Sequence, residues 1–332
     1  MFLNDTVFVF LLLSQICFGF MGNSFLFVLY MYSLLNKSHL KKPIGWIFTQ
    51  LTLVNVLTIM FVLIPESTHS SGVRHVMDDV GCKAVLYMYR VTRGLSICTT
   101  SLLSTFQAIT ICPNSSRWAW LKFKLSTCIF LSCLFVWIIN MLIYINIIGT
   151  VGASTNFTML GQGYCHVYCE TRYIGFQDSS SFLSSIVIRD LLFVVLMIWT
   201  NIYMVILLYR HHRRTQHLHN TSISSQTSRE YKATHTILVL VSLFVFFYCL
   251  NNVMTFYLLY RPEKNLRLEK ISGILSSCYP TIFPFILMKN NKIFSQFTFP
   301  LQRRQLPCLK ENRMANLTSS TSFCKRGVSI TN

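Results

Sequence analysis

Seven long stretches of this chain carry no Asp, Glu, Lys or Arg: residues 6–36, 43–65, 94–116, 125–169, 191–209, 233–260 and 271–288. An α-helix needs about 20 apolar residues to cross roughly 30 Å of hydrocarbon. The pattern predicts seven spanning helices over residues 7–33, 44–64, 82–111, 125–148, 183–209, 234–258 and 270–288. A membrane β-barrel would instead show alternating segments of about 10 residues, and none occur. The expected fold is an all-α, seven-helix membrane bundle over residues 1–290, followed by a polar, disordered tail over 291–332. No basic region precedes the first apolar run, which is also too long for a signal-peptide core, so the first span reads as a retained anchor.

Composition supports a membrane setting. Charged residues make up 12% of the chain and hydrophobic residues 52%, whereas soluble domains carry about 25% charged residues. The net charge of +18 would by itself suggest nucleic acid. Its distribution excludes that reading. With the N-terminus outside, the inner segments 34–43, 112–124, 210–233 and 289–332 hold 19 Lys and Arg against two acids. The outer segments hold six against eight. A cytoplasmic Lys/Arg excess sets membrane orientation, so the expectation is N-terminus out, C-terminus in. The basic residues Arg117, Lys122, Arg210, Arg213 and Lys232 form an inner face suited to anionic lipid head groups or an acidic partner surface. The run Arg210-His211-His212-Arg213-Arg214, with His217 and His219, sits among cations that repel a metal ion, so it reads as part of that flank.

Twelve cysteines divide by compartment. Cys17, Cys98, Cys128, Cys133, Cys249 and Cys278 lie in apolar spans and are expected as small buried hydrophobes, while Cys112, Cys308 and Cys324 fall on the reducing side. Cys82, Cys165 and Cys169 face the oxidising side. Cys82 is expected to pair with Cys165, Cys169 being the alternative, and so to pin the 149–182 loop. Of six Asn-x-Ser/Thr sequons, Asn156 lies in the longest outer loop and is the glycosylation candidate.

The third span carries the most chemistry. Tyr89, Arg93, Ser96 and Thr100 recur at helical spacing and share one face. Arg93 lies 11 residues after Cys82, roughly 16 Å along the helix at 1.5 Å per residue. Intramembrane ionisable residues are costly and face the interior. Two readings follow: Arg93 and Tyr89 line a ligand cavity, or Arg93 makes a structural ion pair with Asp190. Asp190 could equally line the cavity. Arg189 and Asp190 are sequence neighbours, whose side chains diverge on a helix, so they are not expected to partner each other. No phosphate loop, metalloprotease or serine-hydrolase motif occurs, and neither a cofactor nor a catalytic residue is expected. A single intramembrane carboxylate and the lack of a helix repeat argue against a coupled transporter.

Several of these segments resemble type 1 vomeronasal receptors. They are Arg93-Gly94-Leu95-Ser96-Ile97-Cys98-Thr99-Thr100-Ser101-Leu102-Leu103-Ser104 and its continuation to Ile111, Ser116-Arg117-Trp118-Ala119-Trp120-Leu121-Lys122, Tyr209-Arg210-His211-His212 through His219, Lys232-Ala233-Thr234-His235-Thr236-Ile237-Leu238, and Tyr279-Pro280-Thr281-Ile282-Phe283-Pro284-Phe285. The resemblance, which covers residues 20–290, implies a multi-pass plasma-membrane G-protein-coupled receptor for pheromones or related small chemosignals. It implies a heterotrimeric G-protein partner of the inhibitory class, contacted by Gln107, Arg117, Lys122, Arg210, Arg213 and Lys232. With the polar face of the third span, this puts the expected chemosignal site near Tyr89, Arg93, Ser96 and Asp190. Asn23, Trp137 and Cys82 match marker positions of the wider rhodopsin-like class. Phe106-Gln107-Ala108 replaces that class's acidic-Arg-aromatic triplet, Asn55 replaces its helix-two acid, and Phe283-Pro284 replaces its Asn-Pro pair. A bitter-taste-type receptor is the alternative, and a transporter a more distant one. The tail 301–332 departs from the family.

Overall fold

A computed structural model of the chain describes residues 2–36, 43–70, 78–112, 119–153, 169–171, 176–217, 224–260 and 266–290. Its elements are α1 (Phe2–Asn36), α2 (Pro43–Ser70), α3 (Asp79–Ile111), α4 (Ala119–Ile143), α5 (Ile147–Thr150), β1 (Val151–Ala153), β2 (Cys169–Thr171), α6 (Phe176–His217), α7 (Ser224–Tyr260) and α8 (Leu266–Asn290). Seven of the spans are long and apolar enough to cross a membrane: Thr6–Leu35, Pro43–Pro65, Asp79–Ile111, Cys128–Gly149, Ser184–Arg210, Lys232–Leu258 and Lys270–Lys289. The chain divides into two compact units, residues 1–286 and 287–332. The bundle is the first; of the second, only the closing turn of α8 is described, and the rest of the tail lies outside the described residues.

Every expected span is present, and most of the helices run past it. Backbone hydrogen bonding continues until a residue or turn interrupts it, whereas hydropathy registers only the length that sits in hydrocarbon. Thus α6 begins seven residues before the expected 183 and ends eight after 209. The fourth span is an exception, because its helix ends at Ile143. There the chain tightens to three-residue spacing, with Ile147 N donating to Tyr144 O (3.0 Å) and Ile148 N to Ile145 O (3.1 Å). Asn146 and Gly149, both poor helix formers, fall in this stretch. The segment expected as an outer loop then contains an antiparallel strand pair, with Val151 opposite Thr171 and Ala153 opposite Cys169.

The exterior is apolar. Phe10, Phe18, Met21, Leu131, Phe135, Leu191, Leu192 and Trp199 are all exposed. Such a surface is untenable in water and suits lipid. About two thirds of the central stretch of the second span and 61% of the third are buried, against 17% of the first and 22% of the fourth. The second and third spans therefore form the middle of the bundle, and α3 is the element around which a site can be built. Cys98 and Cys133 are buried as expected, but Cys17 and Cys249 face outward, because an apolar thiol meets lipid without penalty. Cys112, expected at the inner surface, is buried, with its Sγ 3.3 Å from the Tyr203 hydroxyl.

Two prolines in α8 explain the packing of α1. Pro284 has no N–H, so the carbonyl of Pro280, four residues earlier, loses its helical donor. Asn23 Nδ2 supplies one across the helix interface at 2.8 Å, and also donates to Gly19 O at 2.7 Å. Asn55 Nδ2 in turn donates to Asn23 Oδ1 at 3.1 Å, tying in α2. The helices can approach this closely because α1 presents glycine: a Cβ on Gly22 would lie 2.8 Å from Pro284 Cγ. Asn23→Ala is expected to orphan the Pro280 carbonyl and destabilise the receptor by about 1–3 kcal/mol. Thermal unfolding of purified protein checks this, with Ser14→Ala as the control. Ser14 is half-buried and bonds only within its own helix, to Leu11 O, so its loss is expected to leave the melting temperature unchanged.

Candidate functional site

A cavity of about 470 Å³, counting its open mouth, lies among α2, α3, α7 and α8. Its α3 wall is Tyr89, Arg93 and Ser96, three of the four residues expected on one face. Thr100, the fourth, is fully buried and does not line the cavity. The α7 wall contributes Phe244, Phe247, Tyr248 and Asn251, and α8 contributes Leu275, Ser276, Tyr279 and Pro280. An aromatic column supports it. Phe244 meets Tyr279 edge-on at 5.0 Å and stacks on Tyr248 at 5.5 Å, while Tyr279 meets Phe283 at 5.8 Å.

Arg93 is held by neutral groups. Its Nη1 donates to the Tyr89 hydroxyl at 3.3 Å, its Nη2 donates to Asn252 Oδ1, and its guanidinium lies over the Tyr248 ring, 5.1 Å from the centroid. The Arg93–Asp190 ion pair, one of the two readings of the sequence, does not form, and Asp190 does not line this cavity. Its carboxylate is instead paired with Arg189: Oδ1 accepts from Nη2 at 2.7 Å and from Nε at 3.0 Å. Adjacent positions on a helix point their Cβ atoms apart, but the long arginine stem folds back and places its planar fork on the neighbouring carboxylate. Arg189 is steadied from the fourth span, donating to the Tyr144 hydroxyl at 2.8 Å and to Asn140 Oδ1 at 3.4 Å. The second Asp190 oxygen accepts from the Tyr248 hydroxyl. Tyr248 therefore joins two polar clusters, with its ring under Arg93 and its hydroxyl on Asp190. Gly94 leaves space for this arrangement, since a Cβ there would run into the Asn140 side chain.

The C-terminal half of α3 makes a second set of polar contacts. Ser104 Oγ meets Thr200 Oγ1 of α6, and Gln107 Nε2 donates to Thr234 Oγ1 of α7 at 2.8 Å. Gln107, expected to present itself to a partner protein, is buried, because its face of α3 turns toward α7. Arg210, Arg213 and Lys232 are exposed on α6 and α7. Lys122 falls in α4, with its side chain outside the described set, and Arg117, Asn156 and Cys165 lie outside the described residues. Cys82 is fully buried and disulfide-bonded. Among the described residues, no three His, Cys, Asp or Glu come together to hold a metal ion.

Tyr248, Asn251 and Asn252 are site residues that the sequence pattern does not single out. The signal available is a polar pair, Asn251-Asn252, inside an otherwise apolar span.

Seven apolar helices, four of which line a cavity, with α3 and α7 bonded to each other beyond it, define a seven-helix membrane bundle. The sequence model of the "Vomeronasal organ pheromone receptor family" matches residues 7–300. The chain is 31% identical over 297 residues to vomeronasal type-1 receptor 1 of Homo sapiens, covering 88% of this chain and 82% of that one. It is 34% identical over 295 residues to human vomeronasal type-1 receptor 4 (88% and 97% covered), and 35% identical over 280 residues to human vomeronasal type-1 receptor 2 (83% and 70%). The chain belongs to the type 1 family of vomeronasal pheromone receptors. It is a G-protein-coupled, multi-pass protein of the plasma membrane, and its relatives are receptors rather than enzymes.

Proposed function

We propose that this protein is a chemosensory receptor that binds a small chemosignal among Tyr89, Arg93, Ser96 and Tyr248 and activates a heterotrimeric G-protein of the inhibitory class. The N-terminus faces outward in this reading, so the cavity is reached from outside, with Asn156 glycosylated there and Cys82 bridged to Cys165. Arg117, Lys122, Arg210, Arg213 and Lys232 then face the G-protein. The observation that carries the proposal is that α3 and α7 share both ends of the coupling. They form facing walls of the cavity, and beyond it they are joined by the Gln107–Thr234 hydrogen bond. A ligand seated on Arg93 beside the α7 wall changes how the two helices sit, and release of Gln107 from Thr234 lets the far end of α7 swing away. Gln107 reaches the G-protein only in that opened form.

A neutral hydrogen bond contributes about 1 kcal/mol, so its loss shifts a two-state equilibrium roughly fivefold. Thr234→Val keeps the shape and removes the acceptor. Basal nucleotide exchange on the G-protein is expected to rise several-fold in membranes carrying this variant, and Arg93→Ala is expected to abolish the response to active chemosignals. Unchanged basal exchange in Thr234→Val, together with full ligand response in Arg93→Ala, would sink the reading.

A further inference from the structure

The charges around the cavity decide what kind of ligand it takes. Arg93 is the charged side chain in its described lining, and Asp190, which does not line it, lies behind Tyr248. Asp190 is already matched: one oxygen is taken by the Arg189 fork, the other by the Tyr248 hydroxyl. Arg93 is not. Its donors bond to neutral oxygens, those of Tyr89 and Asn252, and no carboxylate among the described residues bonds to it. Arginine does not shed its proton in proteins, so among the described residues the cavity carries a positive charge at membrane depth that no carboxylate matches. Tyr248 accepts that charge on its ring face while its hydroxyl is drawn to Asp190, which fixes the guanidinium from below. A guanidinium has five N–H donors, more than these two neutral oxygens use. Around it, Phe244, Phe247 and Leu275 give the remaining lining an apolar character. A cation in a low-dielectric cleft selects an anion, and a planar fork selects one with paired oxygens.

We infer that the ligand is an organic anion, with a carboxylate, sulfate or phosphate-ester head seated on Arg93 and an apolar body against the α7 and α8 aromatic wall. This rests on the receptor reading above and adds the sign of the ligand's charge to it. Amines are excluded by repulsion, and neutral compounds forfeit the charge-assisted bonds.

The test uses the purified full-length receptor in nanodiscs and matched probes. These are 2-naphthylacetate and 1-adamantanecarboxylate, each with the methyl ester and the primary amine of the same skeleton. Melting temperature reads binding, and nucleotide exchange on added G-protein reads signalling. The acids are expected to raise the melting temperature, with esters and amines at least tenfold weaker. Arg93→Gln should abolish the shift. Arg93→Lys, which keeps charge but loses the fork, should retain binding about tenfold weaker, so the inference remains testable if the Gln variant fails to fold. Esters or amines that match the acids, an absence of any acid-dependent shift, or an acid shift that survives Arg93→Gln would overturn it. A shift of the same size from sodium chloride or sodium sulfate alone would assign the site to an inorganic anion and overturn it as well. Acid binding without nucleotide exchange by any probe would uphold the anion site and sink the receptor reading instead.

Discussion

Asp190→Ala is expected to remove most of the receptor from the cell surface, and the double variant Arg189→Met/Asp190→Leu is expected to restore much of it. The single change leaves the Arg189 guanidinium without its carboxylate and the Tyr248 hydroxyl without its acceptor. Both side chains of the ion pair are mostly covered, at 19% and 14% exposure. Breaking a buried pair from one side costs about 3–5 kcal/mol, and partial exposure puts this one toward the low end. Set against a total stability of about 5–15 kcal/mol, even that leaves a marginal protein. Replacing both partners removes the orphaned charge, and apolar pairs of similar volume are often neutral. Tyr144 and Asn140 lose a charge-assisted donor in the double variant, but both are uncharged and no charge is stranded. Surface labelling and melting of purified protein measure the effect. A double variant as poor as the single one would mean that the bonds these side chains make to Asn140, Tyr144 and Tyr248, rather than the avoidance of a stranded charge, hold α6 in place. The double variant should also respond weakly to ligand, because Tyr248 no longer has an anchor for the hydroxyl whose ring carries Arg93.

What can be read in advance follows from what each rule measures. Apolar length locates all seven crossings, because hydrocarbon imposes one requirement on every span. It does not locate the helix ends, since polar turns such as Arg210–His217 continue α6 in water as well as in lipid. Helical spacing correctly places Tyr89, Arg93 and Ser96 together, because three- and four-residue steps define a face without tertiary knowledge. The same reasoning misjudges Arg189 and Asp190, since spacing describes where Cβ atoms point and not how far an arginine reaches. The burial of Gln107 is not legible for another reason. Position along a helix gives depth, whereas its exposure depends on rotation toward α7, which is set by packing. Tyr248 and Asn252 are aromatic and polar residues in a hydrophobic run, and nothing local says that Asn252 meets an arginine 159 residues earlier in the chain.

Cys82→Ser is the second change expected to be severe, and its pattern of non-additivity identifies the bridge. Cys82 sits in the first turn of α3, where Asp78 caps the helix by accepting from Gly81 N at 2.9 Å, and where Cys82 N donates to Asp78 O at 3.0 Å. The Cys82 sulfur is fully buried and disulfide-bonded, so reduction would strand a thiol in a site shaped for a cross-link. If the partner is Cys165, the bridge closes a loop of roughly 80 residues, for which the chain-entropy estimate is about 4–5 kcal/mol. That figure is an upper bound here. α3 and the fourth span remain inserted in the membrane when tertiary packing is lost, so the unbridged chain has less freedom to regain than a soluble coil. Cys82→Ser and Cys165→Ser should therefore each lower the melting temperature by the same amount, and the double variant should fall no further, because one bond cannot be lost twice. Cys169→Ser should melt like the parent and should leave either of those variants unchanged when combined with it. The reverse pattern, with Cys169→Ser equivalent to Cys82→Ser and Cys165→Ser silent, would move the bridge to the β2 strand. Peptide mapping without reductant identifies the same bond independently of any stability measurement.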